Sequence, residues 1–195
     1  MSDSLRIRKK AETKLAIATV AEALFIKNGY QHTTLSEIAD AANVSQRTIF
    51  SYFPSKESII FHEYEDKIDE IIAFIQTNEA SDVLTSLTQF RNADASNTAP
   101  STEVETARRK LVRDNRELHD YFSSLLMNLE TRFVELLANE RGISPNSIQA
   151  HMVAAVLRSA FNYAEEHDDV DHEATQQAIL RFIDAGLNAS VSKIK

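Results

Sequence analysis

The chain has 195 residues, 43% of them hydrophobic, with Gly 3, Pro 3 and Cys 0, which favours helices and excludes a disulfide framework or a thiolate metal site. The formal net charge of −8 argues against a nucleic-acid partner until its distribution is read. Residues 1–56 hold eight basic and five acidic side chains, a surplus of +3 that leaves −11 for the remainder, as expected when one end alone meets phosphate.

Residues 1–8 read as a mobile arm, with no apolar signal core. No apolar stretch approaches the roughly 18 residues of a membrane span. A soluble, cytoplasmic protein with no membrane partner is expected. A first helix is predicted over about Lys9–Asn28, with Leu15, Ile17, Val20, Ala21, Leu24 and Phe25 as its apolar stripe and Gly29 as its stop.

The segment Thr33–Glu57 carries the most information. Thr34 and Glu37 form an S/T-x-x-E capping box at the front of a short helix. Leu35, Ile38, Ala39 and Ala42 give that helix one apolar face. Asn43 suits a left-handed position at its end, and Ser45 caps the next helix. Ile49 and Phe53 turn that second helix inward and leave Gln46, Arg47, Thr48 and Ser51 outward. Pro54–Ser55 ends it and caps a third helix. Two short helices across a tight turn make a helix-turn-helix, which reads DNA with the first residues of its second helix.

After Ser55 one continuous helix is predicted to about Gln76, with Ile59, Ile60, Phe61, Tyr64, Ile68, Ile71, Ile72 and Ile75 apolar. It is longer than a DNA-reading head needs. Ser81 caps a further helix through Phe90, and residues 92–101 form a loop. Thr102 with Glu105 is a second capping box. A helix to about Arg113 and another over about Asn115–Glu140 come next, the latter stopped by Gly142. Ser144–Pro145 opens a helix to about Glu166, and Asp171 caps a last one over about His172–Ala189. These last two carry Met152, Val156, Ala160, Ile179, Phe182, Ile183 and Gly186 on wide apolar faces, which either close the protomer core or pair two chains.

Phe25, Gly29–Tyr30, Thr33–Thr34, Ile38–Ala39, Ala42, Val44–Ser45, Thr48, Tyr52–Phe53 and Lys56–Glu57 resemble, in one set of spacings, the DNA-binding domain of the TetR family of bacterial transcriptional regulators. The resemblance covers roughly residues 10 to 60. It implies an all-α homodimer of about nine helices: a three-helix DNA-binding head, 1–56, and a ligand-binding and dimerisation bundle, 57–195. It also implies a repressor that binds a palindromic operator and is released by a small lipophilic or acidic effector, and it tilts the last two helices toward a four-helix dimer interface.

Base reading then falls to Gln46, Arg47, Thr48 and Ser51: Arg47 suits a bidentate guanine contact and Gln46 an adenine. Thr34, Ser45, Phe50, Tyr52 and Lys56 are expected at the phosphate backbone, with Thr34 and Ser45 also serving as caps. The family often carries Tyr where this chain has Phe50, so the hydroxyl that reaches a phosphate is missing and sugar or a thymine methyl remains. Phe61, Tyr64, Ile68, Phe90, Arg113, Tyr121, Phe122, Leu125 and Phe161 are expected to line an effector pocket, against the plainer reading of core packing. The effector is expected to tilt the helix after Ser55 and so respace the two recognition helices.

Rival classes are poorly supplied. His119, Asp120 and Ser123 sit on one predicted helix, but no nucleophile elbow or glycine-rich phosphate loop accompanies them. His62–Glu63 and the cluster 167–172 are better explained by helix ends than by a metal. No cofactor, no metal and no enzymatic activity are expected. A ligand-independent architectural DNA binder is the remaining alternative.

Overall fold

The computed structural model describes residues 2–78, 82–94, 102–166, 174, 177–179, 181–183 and 185, leaving aside the side chains of 2–4, 91–92, 94, 102–105, 161 and 164–166. Their regular secondary structure is helical, with no strand among them. The helices run α1 (Ser2–Asn28), α2 (Leu35–Ala41), α3 (Gln46–Tyr52), α4 (Glu57–Ile60), α5 (His62–Thr77), α6 (Val83–Asp94), α7 (Thr102–Asp114), α8 (Arg116–Arg141) and α9 (Ile148–Glu166). Residues 174, 177–179, 181–183 and 185 are helical as well. The chain divides into two compact units: Met1–Asp66 with Lys110–Tyr121, and Lys67–Arg109 with Phe122–Lys195.

In the first unit, α1 buries Ile17, Ala18, Ala21 and Phe25 together with Tyr30, Ile38, Ala39, Ile49, Phe53, Ile59, Ile60, Phe61 and Leu118. The expected stripe on α1 is corrected at Leu15, which is exposed. The arm expected at residues 1–8 is helical from Ser2, so α1 starts well before Lys9. Gly29 ends α1 with φ 86, a left-handed conformation that a Cβ would strain.

The second unit is built on Ile68, Ile72 and Ile75 of α5, Val83 and Leu84 of α6, Leu129, Phe133, Val134 and Leu137 of α8, and Ala150, Val153, Ala154 and Leu157 of α9, with Ile183. Glu140 accepts the Val83 N–H at 2.6 Å, which satisfies one of the free donors at the α6 start. Gly142, φ 61, closes α8 as expected.

Three expected boundaries are corrected. The helix after Ser55 is broken: Phe61, φ −100 and ψ 10, ends α4, and α5 restarts at His62. The α6 start is capped by Asp82, whose carboxylate accepts the Thr85 N–H at 2.9 Å and its hydroxyl at 2.8 Å; Ser81 lies outside the described residues. Ser144 and Pro145 form a turn before α9, closed by Ser147 N–H donating to the Ser144 carbonyl at 2.9 Å, and the helix opens at Ile148. The capping side chains of Thr102 and Glu105, and Asp171, lie outside what is described.

Candidate nucleic-acid interface

The local chemistry of Thr34 to Phe53 builds a corner and points a short helix outward. Thr34 is extended, φ −98 and ψ 156, and its hydroxyl accepts the Glu37 N–H at 3.2 Å. Glu37 in return accepts the Thr34 N–H at 2.7 Å and the Thr34 hydroxyl at 2.8 Å. The box is therefore reciprocal, and its hydrogen bonds hold the Glu37 carboxyl below the usual carboxylate range. At the far end of α2, Asn43 takes φ 54. Asn43 N–H donates to the Asp40 carbonyl at 3.2 Å and Val44 N–H to the Ala39 carbonyl at 2.9 Å. That pair of bonds is a Schellman motif with Asn in the left-handed place. Ser45 caps α3 by accepting the Thr48 N–H at 3.0 Å.

α3 is anchored by Ile49 and Phe53, both buried, and Phe53 meets the buried His62 ring edge-on with centroids 5.9 Å apart. Gln46, Arg47, Phe50 and Ser51 form its exposed face. The Gln46 and Arg47 side chains make no hydrogen bond within the described residues, so their donors and acceptors are available to an outside partner. Thr48 is half-buried with its hydroxyl 2.8 Å from that of Ser45, and the Ser51 hydroxyl donates to the Thr48 carbonyl at 2.6 Å. Of the four expected base readers, Gln46 and Arg47 thus present free polar groups, while the hydroxyls of Thr48 and Ser51 are engaged in the helix itself.

The residues expected at phosphate are placed differently from one another. Thr34 and Ser45 act as caps on the surface, and Tyr52 is half-buried with no hydrogen-bond partner among the described residues. Phe50 is 53% exposed on the same face as Arg47 and offers an apolar surface, with no donor for a phosphate. Lys56 is engaged within the head. Its ammonium donates to the carbonyls of Tyr30 at 2.8 Å and Thr33 at 3.1 Å, and it lies 3.9 Å from the Tyr30 ring centroid. Glu57 accepts the Tyr30 hydroxyl at 2.6 Å. Burial, then the Glu57 hydrogen bond, pushes the Tyr30 phenol well above its ordinary range. Burial also lowers Lys56, against the pull of Glu57 and Glu117. No local signal announces this clasp, because its partners lie 23 to 27 positions apart in the chain.

The rings expected at an effector pocket pack in pairs. Phe61 stacks on Tyr121 at 5.6 Å and meets Tyr64 at 6.1 Å, and the Tyr121 hydroxyl donates to Glu65 at 2.6 Å. Phe90 meets Phe74 edge-on at 5.5 Å. Ile68 is buried in the second unit's core, Leu125 packs on that core, Phe122 is buried and Arg113 is exposed. The Phe161 side chain lies outside what is described. A cleft of ≈ 220 Å³ in the second unit is lined by Ile72, Gln76, Arg132, Glu135, Leu136 and Asn139, none of them expected from the sequence.

Among the residues expected at a dimer contact, Met152 is 61% and Phe182 68% exposed, Val156, Ala160 and Ile179 are half-buried, and Ile183 lies in the core of its own protomer. Gly186 lies outside the described residues. His119 and Asp120 are exposed and 3.9 Å apart, beyond hydrogen-bond reach. Among the described residues no group of three His, Asp or Glu side chains converges as a metal site, and no helix is long and apolar enough to cross a membrane.

Residues 17–62 match the family model described as bacterial regulatory proteins, tetR family. The HTH-type transcriptional regulator TcmR of Streptomyces glaucescens is 44% identical over 55 residues, 28% of this chain and 24% of that protein, so the match spans about a quarter of that relative's length. A Mycobacterium tuberculosis protein described as a mycofactocin biosynthesis transcriptional regulator, MftR, is 24% identical over 167 residues, 82% of this chain and 81% of its own. The crystal structure of a transcriptional regulator from Aquifex aeolicus VF5 shares the fold, with a TM-score of 0.53 and 20% identity over 89% of this chain and 98% of that one.

Proposed function

From the premise that this chain belongs to the TetR family of bacterial regulatory proteins, we propose that it is a dimeric, effector-responsive repressor of transcription. It binds a palindromic operator in the cytoplasm. DNA reading is assigned to residues 1–56, and effector binding and dimerisation to 57–195. The observation that carries this reading is the exposed tip of α3, where Gln46 and Arg47 project without a partner from a helix fixed by the Ser45 cap, Ile49 and Phe53. The surplus of +3 over residues 1–56 supports it by drawing that end toward phosphate.

In this reading Arg47 takes guanine and Gln46 adenine, while Phe50 covers a thymine methyl or a sugar. Thr34, Ser45 and Tyr52 meet the backbone. Met152, Val156, Ala160, Ile179, Phe182 and Gly186 lie at or near the two-fold contact. A two-fold dimer presents the same tip twice, so the operator is an inverted repeat with half-sites about 10 bp apart or a related spacing. The effector is a small lipophilic or acidic compound held by the helices of residues 57–195. It shifts operator affinity only by its own difference in affinity for the two states of the protein.

Arg47→Ala tests the base-reading assignment. The expected loss on the operator is about 1–3 kcal/mol, with relaxed preference at one base pair and a smaller loss on random duplex. Fluorescence anisotropy on both duplexes measures it, and equal losses on the two would remove Arg47 from the base-reading set. A thermal scan against lipophilic and acidic compounds checks the effector clause: a stabilising compound that also weakens operator binding is expected.

A further inference from the structure

Lys56 and Glu57 lie just past α3, beyond a short link, yet both grip the turn that enters α2. Glu57 takes the Tyr30 hydroxyl at 2.6 Å, while the Lys56 ammonium takes the carbonyls of Tyr30 and Thr33 at 2.8 and 3.1 Å. The Tyr30 ring covers that ammonium at 3.9 Å. The turn itself is stiff. The Thr33 hydroxyl donates to the Gly29 carbonyl at 2.9 Å and Thr33 N–H to the Tyr30 carbonyl at 3.3 Å. Tyr30 and Thr33 are both buried, and Phe25 packs on the Tyr30 ring at 5.3 Å. Two adjacent side chains of opposite charge therefore tie the exit of α3 to the entry of α2.

We propose that Lys56 is a positioning residue for the recognition helix, clasping the Tyr30–Thr33 turn and fixing the angle at which α3 is presented, and that it does not neutralise a DNA phosphate. An ammonium with two carbonyls and a ring around it must break those bonds to reach the backbone of a duplex. The Thr33 carbonyl, stripped of its donor in a half-buried corner, would then need a replacement partner, and the Tyr30 carbonyl would keep only the longer bond from Thr33 N–H. Arg47 and Gln46 keep their register on the bases only while that corner is held. The proposal rests on the DNA-binding reading above and concerns how that site is aimed.

The test compares Lys56→Met and Lys56→Gln with the wild-type chain, on the selected operator and on random duplex across a salt series. Gln keeps an N–H donor for the carbonyls and loses the charge. Under the proposal Lys56→Met lowers the operator-to-random affinity ratio by about tenfold, and its melting temperature by roughly 3–10 °C. Its salt slope on random duplex stays that of the wild type. Lys56→Gln restores most of the ratio, an effect that mere loss of folding stability does not produce. A phosphate role predicts the opposite: for both variants the salt slope falls by about 0.9 while the ratio holds, and that result overturns the proposal. If Lys56→Met does not fold, Lys56→Gln and lysine-ammonium NMR of the wild-type protein decide. A Lys56 ammonium signal unmoved by saturating random duplex supports the clasp, and one that shifts overturns it. Wild-type protein with no sequence preference would instead sink the regulator reading. The clasp then stands or falls on whether the Lys56 ammonium of the free protein exchanges slowly with water.

Discussion

Met152→Glu combined with Phe182→Glu is expected to leave a folded monomer with its operator binding cut by at least about a hundredfold. Both side chains lie largely in water in the single chain, at 61% and 68% exposure, so replacing them removes nothing from the core. Burying one Met or Phe side chain against a partner contributes about 1.5–3 kcal/mol, and a two-fold contact counts each residue twice. A carboxylate carried into the same contact must be desolvated, at a cost of several kcal/mol per ion unless it finds a partner. Self-association therefore weakens far more than any single hydrogen bond could explain. Operator affinity drops with it, since a tethered second half-site multiplies binding by roughly 10²–10⁴ and a monomer forfeits that factor. Light scattering and circular dichroism, followed by binding to the operator, check the chain of effects. A double variant that remains dimeric would place the two-fold contact elsewhere.

Phe53→Ala carries the second large effect and acts on folding. Phe53 is 1% exposed, closes α3 and packs edge-on against His62. Removing a buried phenyl ring costs about 3–5 kcal/mol in lost transfer energy and cavity formation. Against a total stability of roughly 5–15 kcal/mol that is a third or more of what holds a domain together. The first unit is expected to melt well before the second, since Ile68, Phe133 and the rest of that core do not include Phe53. Binding to operator and to random duplex should fall together, unlike the selective loss expected for Arg47→Ala. Hydrogen exchange resolves the units: faster exchange is expected in α2, α3 and α4, with α9 unchanged. A shift below about 1 kcal/mol would contradict the packing described for α3.

Short-range chemistry is the part of this molecule that was legible in the sequence. The capping box Thr34/Glu37, the left-handed Asn43 and the Ser45 cap each depend on residues within four positions, and each is in the structure. The stops at Gly29 and Gly142 arise for the same reason. Long-range packing decides the rest. Nothing near Phe61 marks a helix break, because Ile59, Ile60, Phe61 and Tyr64 continue the apolar spacing; the break accompanies the stacking of Phe61 on Tyr121, far along the chain. Lys56 reads as a surface cation beside a DNA-reading helix, and only the fold brings the Tyr30 and Thr33 carbonyls to it. Aromatic residues at helical spacing look alike whether they line a cavity or fill one, and Phe61, Tyr121, Phe74 and Phe90 fill space against each other. Ile183 shares its apolar pattern with Phe182, yet one is buried and the other exposed. That difference depends on which neighbours arrive, which no single helix encodes.

The central claim is that two copies of one polar helix tip, Gln46 and Arg47 of each chain, read a duplex symmetrically. Selection of bound DNA from a random pool at moderate ionic strength tests it most directly. An enriched inverted repeat, with half-sites about one helical turn apart or a related spacing, is the predicted result. A pool that stays random, or that yields a single unrepeated site, would contradict it.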